Sequence, residues 1–200
     1  ANQVICEPSR NNTAPCIAYT SFKLQKINPK ANIIVAPSDH IIAKEEVFVK
    51  AINKALDFTL DSNRIVTLGI QPTRPDTGYG YIHLGDKTTP GFKVKEFIEK
   101  PEQILANSYF NSGSYLWNSG MFVVRASVWL RALKHFRVDI LEATANAFAN
   151  RTQDNQFIRP NAALFTQIPS EFLLDIDESF IETSGIAPTP GEKGKVIYLD

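Results

Sequence analysis

The feature that most constrains this chain is a pair of short β-branched runs with a helical pattern between them. Ile33-Ile34-Val35-Ala36 and Ile65-Val66-Thr67-Leu68-Gly69-Ile70 are continuous apolar stretches of strand length. Such runs suit strands buried on both faces. Between them, residues 43–61 repeat Val47, Ala51, Ala55 and Phe58 at helical spacing, with Glu45 and Glu46 in the first turn, where the helix dipole favours negative charge. Strand, helix and strand in that order imply a right-handed crossover and parallel strands, hence an α/β protein.

The flanking patterns fit the same class. Residues 12–27 place Ile17, Phe22, Leu24 and Ile27 on a helix that Asn28-Pro29 stops. Pro72, Pro75, Gly78 and Gly80 punctuate a loop, and residues 79–84 then resemble a strand. Thr88-Thr89-Pro90-Gly91 turns the chain into the alternating Phe92-Lys93-Val94-Lys95-Glu96-Phe97-Ile98, a half-exposed strand. Pro101 opens a short helix through Leu105. Residues 114–125 form a strand with an irregular centre at Asn118-Ser119-Gly120, and residues 127–150 are helical in two pieces. From 151 to 190 the pattern is weak, and no repeat or low-complexity tract occurs.

Composition narrows the partners. Lysine plus arginine and aspartate plus glutamate both number 21, so no bulk charge points to nucleic acid or lipid; a few placed cations could still hold a nucleotide. No apolar run approaches the roughly 18 residues of a membrane span, and the start lacks signal-peptide order, so a cytoplasmic protein is the expectation. Cys6 and Cys16 make no disulfide framework, though a bond between them stays open. Both ends read as strands without a cap or tail, and the expectation is a chain cut from something longer, a single partial domain over residues 1–200.

Four places could carry chemistry. The first strand runs into Pro37-Ser38-Asp39-His40, and open parallel sheets bind ligands outside the carboxyl ends of their strands. Asp39 there suits a divalent cation held with a nucleotide phosphate, or simply a cap on the next helix. Thr73-Arg74-Pro75-Asp76-Thr77-Gly78-Tyr79-Gly80-Tyr81 is a loop whose glycines let backbone approach a ligand, or an ordinary turn. Glu99-Lys100-Pro101 offers a carboxylate for sugar hydroxyls and an ammonium for phosphate, or a surface ion pair. Trp117-Asn118-Ser119-Gly120 marks a bulge or a ligand-facing break in a strand.

In order, these pieces resemble the bacterial mannose-1-phosphate guanylyltransferases. The resemblance rests on Gly69-Ile70-Gln71-Pro72-Thr73-Arg74-Pro75-Asp76-Thr77-Gly78-Tyr79-Gly80-Tyr81-Ile82, Val94-Lys95-Glu96-Phe97-Ile98-Glu99-Lys100-Pro101 and Tyr115-Leu116-Trp117-Asn118-Ser119-Gly120-Met121-Phe122. Glu7-Pro8, Asn12-Thr13-Ala14-Pro15 and Pro37-Ser38-Asp39-His40 extend it over nearly the whole chain. It implies a Rossmann-like nucleotide-diphospho-sugar transferase fold, a mostly parallel central sheet flanked by helices and incomplete at both ends.

The resemblance also implies roles. The loop with Glu7, Asn12 and Thr13 would hold guanine; Asp39 would bind Mg2+ and Gly78, Tyr79 and Gly80 would cover the mannose. Glu99 would take sugar hydroxyls, Lys100 the sugar phosphate and Asn118 a further mannose contact, with Asp39 and Lys100 as the catalytic pair. The implied reaction joins GTP and mannose 1-phosphate into GDP-mannose and diphosphate, with a homodimer left open and neither nucleic acid nor membrane as partner. The alternative is a catalytically silent sugar-phosphate-binding or regulatory module of the same fold.

Departures from the pattern matter. The Gly-Gly-x-Gly-Thr-Arg-Leu-Trp-Pro-Leu-Ser-Arg signature, expected before residue 1, and the Gly-Trp-Ser-Asp-Val-Gly segment, expected after residue 200, are not in these residues. Arg10-Asn11 stands where the family has Gly-Arg, which leaves the choice of base open. Residues 175–182 keep only part of a further family pattern, and Thr183 replaces its lysine.

Overall fold

The two β-branched runs are strands, and the helix between them is where its periodicity puts it. The computed structural model describes residues 4–88, 91–154, 157–172 and 195–199. In chain order its elements begin β1 (Val4–Ile5), α1 (Thr13–Ile27), β2 (Asn32–Val35), α2 (Glu45–Thr59) and β3 (Ile65–Ile70). Then come β4 (Tyr81–Lys87), β5 (Phe92–Ile98), α3 (Gln103–Ser112), β6 (Tyr115–Arg125), α4 (Ala126–Phe136) and α5 (Val138–Ala149). The last are β7 (Thr152–Asp154), β8 (Phe157–Arg159), α6 (Ala162–Phe165) and β9 (Lys195–Leu199). Two compact units result: Ala1–Ala31 with Ala126–Phe180, and Asn32–Arg125 with Ile181–Asp200.

The second unit is built on a six-stranded sheet in the order β2-β6-β3-β9-β5-β4, with β4 also paired to β6. α2 packs Ala51, Ile52 and Ala55 against Val66, Leu68, Met121 and Val123 of β3 and β6. Those side chains are nearly or wholly buried, the main apolar contribution to this unit. The sheet is mixed: β2, β3, β9 and β4 run one way, and β6 and β5 the other. β2 and β3 do run the same way, as their crossover requires, but β6 lies between them antiparallel to both. β3–β9 is a parallel ladder; β4–β5, β4–β6 and β5–β9 are antiparallel. For β4 and β5 the reason is in the connection: β5 follows β4 through a short turn, and without a helix-length crossover successive neighbours pair antiparallel.

Two expectations change. β2 is not buried on both faces: it ends the sheet order, and Ile34 is 44% exposed where Ile33 is 8%. α3 runs to Ser112, well past Leu105, and stops at Gly113 in the left-handed conformation (φ 66°) that glycine takes without steric cost. Its apolar residues Ile104, Leu105 and Phe110 are exposed and only Ala106 is buried, so its core-facing side carries no apolar period to read.

The first unit packs α1 on α4 and α5. Tyr19 of α1 sits edge-on to Phe148 at 5.1 Å and Phe165 at 6.0 Å, while Trp129 and Leu133 of α4 are fully buried. Its small sheet is β1-β8-β7; β1 is the strand read at the chain's start, whereas β7 and β8 fall in the stretch that shows little pattern, because each has only three residues. Cys6 and Cys16 are free thiols.

Candidate active site

Register on β4, β5 and β6 sorts the candidate residues onto two faces. Tyr81 lies opposite both Ile98 and Trp117, and these three cluster with Ala106 of α3. One step along each strand the side chains alternate, so Gly80, Glu99 and Asn118 share the other face. Their closeness is direct. A Cβ at Gly80 would lie 2.9 Å from Glu99 Oε2 and 3.7 Å from Asn118 Cβ, and the Asn118 N–H donates to the Gly80 carbonyl at 2.8 Å. A side chain at Gly80 would have to push the Glu99 carboxylate aside, because that group occupies the space.

Asn118 begins a bulge. Between Thr67 and Gly69 of β3 the register jumps from Phe122 to Asn118, so β6 carries extra residues at its centre. The bulge is fully bonded: Ser119 Oγ donates to Leu68 O at 2.6 Å and accepts from Met121 N, and Asn118 Oδ1 accepts from Gly120 N. Gly120 has φ 70°, and a Cβ on it would touch Pro37 Cγ at 3.4 Å. The strand break at residues 118–120 thus abuts the turn after β2 that leads to Asp39.

Glu99 and Lys100 form an ion pair of 3.1 Å with side chains 62% and 63% exposed. A pair so open contributes little to stability and leaves both groups accessible to a ligand. Lys100 also has φ 37°, left-handed backbone that a long side chain rarely adopts, in the residue before a proline. Strain of this kind persists where surrounding structure fixes it, and it clusters at ligand sites.

The loop leading into Gly80 is closed on itself. Gly78 N–H donates to Asp76 Oδ1 at 2.8 Å, Arg74 pairs with Asp76 at 2.6 Å, and the Tyr79 ring lies 4.8 Å from Trp117. The Gly78 N–H and then Arg74 hold the Asp76 carboxyl below its usual pKa, with some desolvation opposing. Gly78 therefore spends its amide on the loop, whereas Gly80 gives its space to Glu99.

Asp39 lies in an exposed turn after β2 and does not cap α2. The helix starts at Glu45, and Lys44 occupies the cap position without a side-chain cap bond. The Asp39 carboxylate has no bonding partner among the described residues. Those residues hold no cluster of three histidine, cysteine, aspartate or glutamate side chains fit for a metal. One open carboxylate suits a hard cation whose remaining ligands are phosphate oxygens and water, not an all-protein cage.

In the first unit, the segment from Glu7 to Thr13 is anchored by Asn11. This side chain is 6% exposed; its amide donates to Phe165 O at 3.0 Å and Ile168 O at 2.7 Å, and it accepts from Ser9 Oγ. Backbone bonds from Glu171 N to Asn11 O and from Ala14 N to Glu171 O complete the clamp. Asn12 is held at φ 62°, ψ −167°, a region nearly confined to glycine, and its amide donates to Ser170 Oγ. Thr13 begins α1. Desolvation raises the Glu7 carboxyl above its usual pKa, against a hydrogen bond with the Cys16 thiol.

The nucleotidyl transferase family matches residues 1–163. The chain belongs to that family. The mannose-1-phosphate guanylyltransferase of Salmonella muenchen is 43% identical over 174 residues, covering 86% of this chain and 37% of its own length. That of Escherichia coli K12 is 38% identical over 175 residues, covering 84% and 36%. The chain thus spans little more than a third of these curated relatives. Among solved structures, one described as mannose-6-phosphate isomerase from Helicobacter pylori is 28% identical, with a TM-score of 0.77 over 98% of this chain and 71% of that one. Another, described as mannose-1-phosphate geranyltransferase from Thermus thermophilus, has a TM-score of 0.74 over 96% of this chain and 51% of that one; at 23% identity it shows the shared fold alone.

In this nucleotidyl transferase the structure brings Gly80, Glu99 and Asn118 together, with Lys100 beside Glu99. Glu7, Asn12 and Thr13 belong to the other unit. The sequence reading noted Asn11 only as a departure in the base loop and gave Asp76 and Tyr81 no individual role, yet the contacts of these three hold the two loops. For Tyr81 a cue exists, since a phenol in a strand otherwise aimed at the core needs a partner for its hydroxyl. No helix among the described residues is long and apolar enough to cross a membrane.

Proposed function

We propose that the chain is the transferase part of a mannose-1-phosphate guanylyltransferase that makes GDP-mannose and diphosphate from GTP and mannose 1-phosphate. The observation that carries this reading is the convergence of Gly80, Glu99 and Asn118 on one sheet face, with exposed Lys100 adjoining. A carboxylate accepts from neighbouring sugar hydroxyls, an amide both donates and accepts, and an ammonium is a compact partner for phosphate. In the reaction, a phosphate oxygen of mannose 1-phosphate bonds to the α-phosphorus of GTP as the bond from that phosphorus to the β-phosphate bridging oxygen breaks. The electron pair leaves with diphosphate, and no covalent enzyme intermediate is needed.

This chain's residues act by placing the reactants and balancing their charge. Glu99 and Asn118 orient the sugar, Gly78, Tyr79 and Gly80 cover it, and Lys100 meets its phosphate. Glu7, with Asn12 and Thr13, serves the base: a carboxylate is suited to the N–H edge of guanine. Asp39 would hold Mg2+, which supplies positive charge to the nucleotide phosphates when bound. GTP as donor, magnesium as metal, a cytoplasmic location and a homodimer are expectations of the same reading. The names of the relatives speak against a catalytically silent module.

The test is formation of GDP-mannose and diphosphate by the gene product carrying this chain, supplied with GTP, mannose 1-phosphate and Mg2+. Asp39→Asn should lower metal-dependent turnover about 100-fold, the scale of lost charge stabilisation at a reacting phosphate. Its thermal midpoint should stay within about 2 °C, since an exposed carboxylate without a partner contributes little to the fold. No GDP-mannose from the unsubstituted protein sinks the reading; equal loss of fold and activity in the variant removes Asp39 from it.

A further inference from the structure

We propose that Tyr81 and Asp76 are positioning residues for the sugar-phosphate site, acting through the backbone at Gly80; this rests on the function proposed above. Tyr81 is fully buried, its ring packed with Ala106 and Trp117 and 5.5 Å from Tyr109. Its hydroxyl reaches back five residues, accepting the Asp76 N–H at 3.0 Å and donating to the Asp76 carbonyl at 2.9 Å. Asp76 in turn binds Gly78 N–H and Arg74 through its two carboxylate oxygens. The whole turn from 74 to 80 is therefore tied to the first residue of β4, and the chain leaves it at Gly80.

The position of Gly80 is the sensitive one. Its carbonyl takes the Asn118 N–H, and the space where its Cβ would be is filled by Glu99. A shift of a few tenths of an ångström in the loop would move the Gly80 carbonyl against Asn118 and change the room left to the Glu99 carboxylate. The Tyr81 side chain lies on the opposite face of the sheet from Glu99 and Asn118, among the α3 contacts, so it reaches a ligand there only through the backbone. A phenol that merely filled the core would need one bond for its hydroxyl. This one makes two, both to the same turning residue.

The experiment is steady-state kinetics of the gene product with Tyr81→Phe, which keeps the ring and removes both hydroxyl bonds, and with Asp76→Ala in the exposed loop. Each variant should raise KM for mannose 1-phosphate about tenfold, the factor that goes with one or two hydrogen bonds. KM for GTP should stay within about twofold, because the part of the site that Tyr81 tensions is the Gly80–Glu99–Asn118 face. A calorimetric titration with mannose 1-phosphate alone should show the same drop in affinity. Unchanged sugar-phosphate affinity in both variants overturns the proposal, as does a parallel rise in both KM values with a collapsed thermal midpoint. If the unsubstituted protein binds mannose 1-phosphate but makes no GDP-mannose, the function above falls and the calorimetry still decides the role of Tyr81.

Discussion

The face carrying Gly80, Glu99 and Asn118 and the segment carrying Glu7, Asn12 and Thr13 hold polar groups by different means. On the first, strand register does the placing. Three β-strands in fixed pairing put three residues on one side, and the side chains that would touch a ligand make few bonds of their own. In the second, there is no register to lean on, and one buried amide grips two carbonyls while backbone bonds to Glu171 close the loop. Among the described residues the non-glycine positive-φ positions are Asn12 and Lys100, one in each region. Both regions thus carry local strain, but only the loop needs a dedicated side chain to contain it. A register-built site separates function from stability. A clamp-built loop joins them.

The sharpest way to break that contrast is Gly80→Ala. The backbone at Gly80 is not at positive φ, so alanine is not strained there, and the atom a methyl group would meet is the end of a flexible Glu99 side chain. The expected outcome is a stability change below about 0.5 kcal/mol, as for substitutions that strain no backbone and bury no new polar group. Turnover with mannose 1-phosphate should fall about 100-fold because Glu99 must swing away, a misplacement on the ångström scale. Denaturant melts and steady-state rates on the same preparation check both. A loss of fold that matches the loss of rate would show that register does not separate the two.

Asn11→Ala is the opposite case, with the effect in stability first. It takes the side-chain donor from the Ile168 carbonyl in a buried setting, leaves the Phe165 carbonyl with the Ile168 N–H alone, and frees Ser9. The expected cost is about 2 to 3 kcal/mol, read from urea unfolding, with nucleotide affinity falling alongside. Normal stability with lost nucleotide binding would place Asn11 at the ligand instead of behind it.

These two residues also show what the sequence made legible. Gly80 stood out because a glycine pair in a proline-punctuated loop needs a reason, and the crossover strands stood out because β-branched runs have few other uses. Asn11 stood out only as a departure from the family pattern, and its clamp did not, because an asparagine in a turn reads the same whether its amide faces water or two carbonyls 154 and 157 residues away. The antiparallel insertion of β6 between β2 and β3 was hidden for a similar reason. Pairing partners of a strand are set by the rest of the sheet, and the alternation along β6 is compatible with either direction. The family resemblance placed Glu99 and Asn118 together before any geometry did, yet it carried no sign of the Tyr81 hydroxyl that ties the loop beneath them.

The smallest effect tests whether the clamp on the loop is electrostatic as well as hydrogen-bonded. Arg137, just before α5, donates through Nε and a terminal nitrogen to both Asp139 oxygens at 3.0 and 2.9 Å and also binds Glu171, the residue whose backbone holds Asn11 and Ala14. The Arg137 hydrogen bonds, opposed by desolvation and helped by the N–H of Ile140, keep the Asp139 carboxyl below its usual pKa. A depressed folded-state pKa means stability that is complete above the unfolded value, about 3.9, and is lost as pH falls through the folded one. Asp139→Asn should therefore lower stability by about 0.5 kcal/mol at pH 7, small because the carboxylate is half exposed and screened by solvent. The gap between variant and parent should narrow below about pH 4 as the parent's own Asp139 takes up its proton. A gap that holds its full width at pH 2 would mean that the carboxylate's charge contributes nothing to holding Arg137.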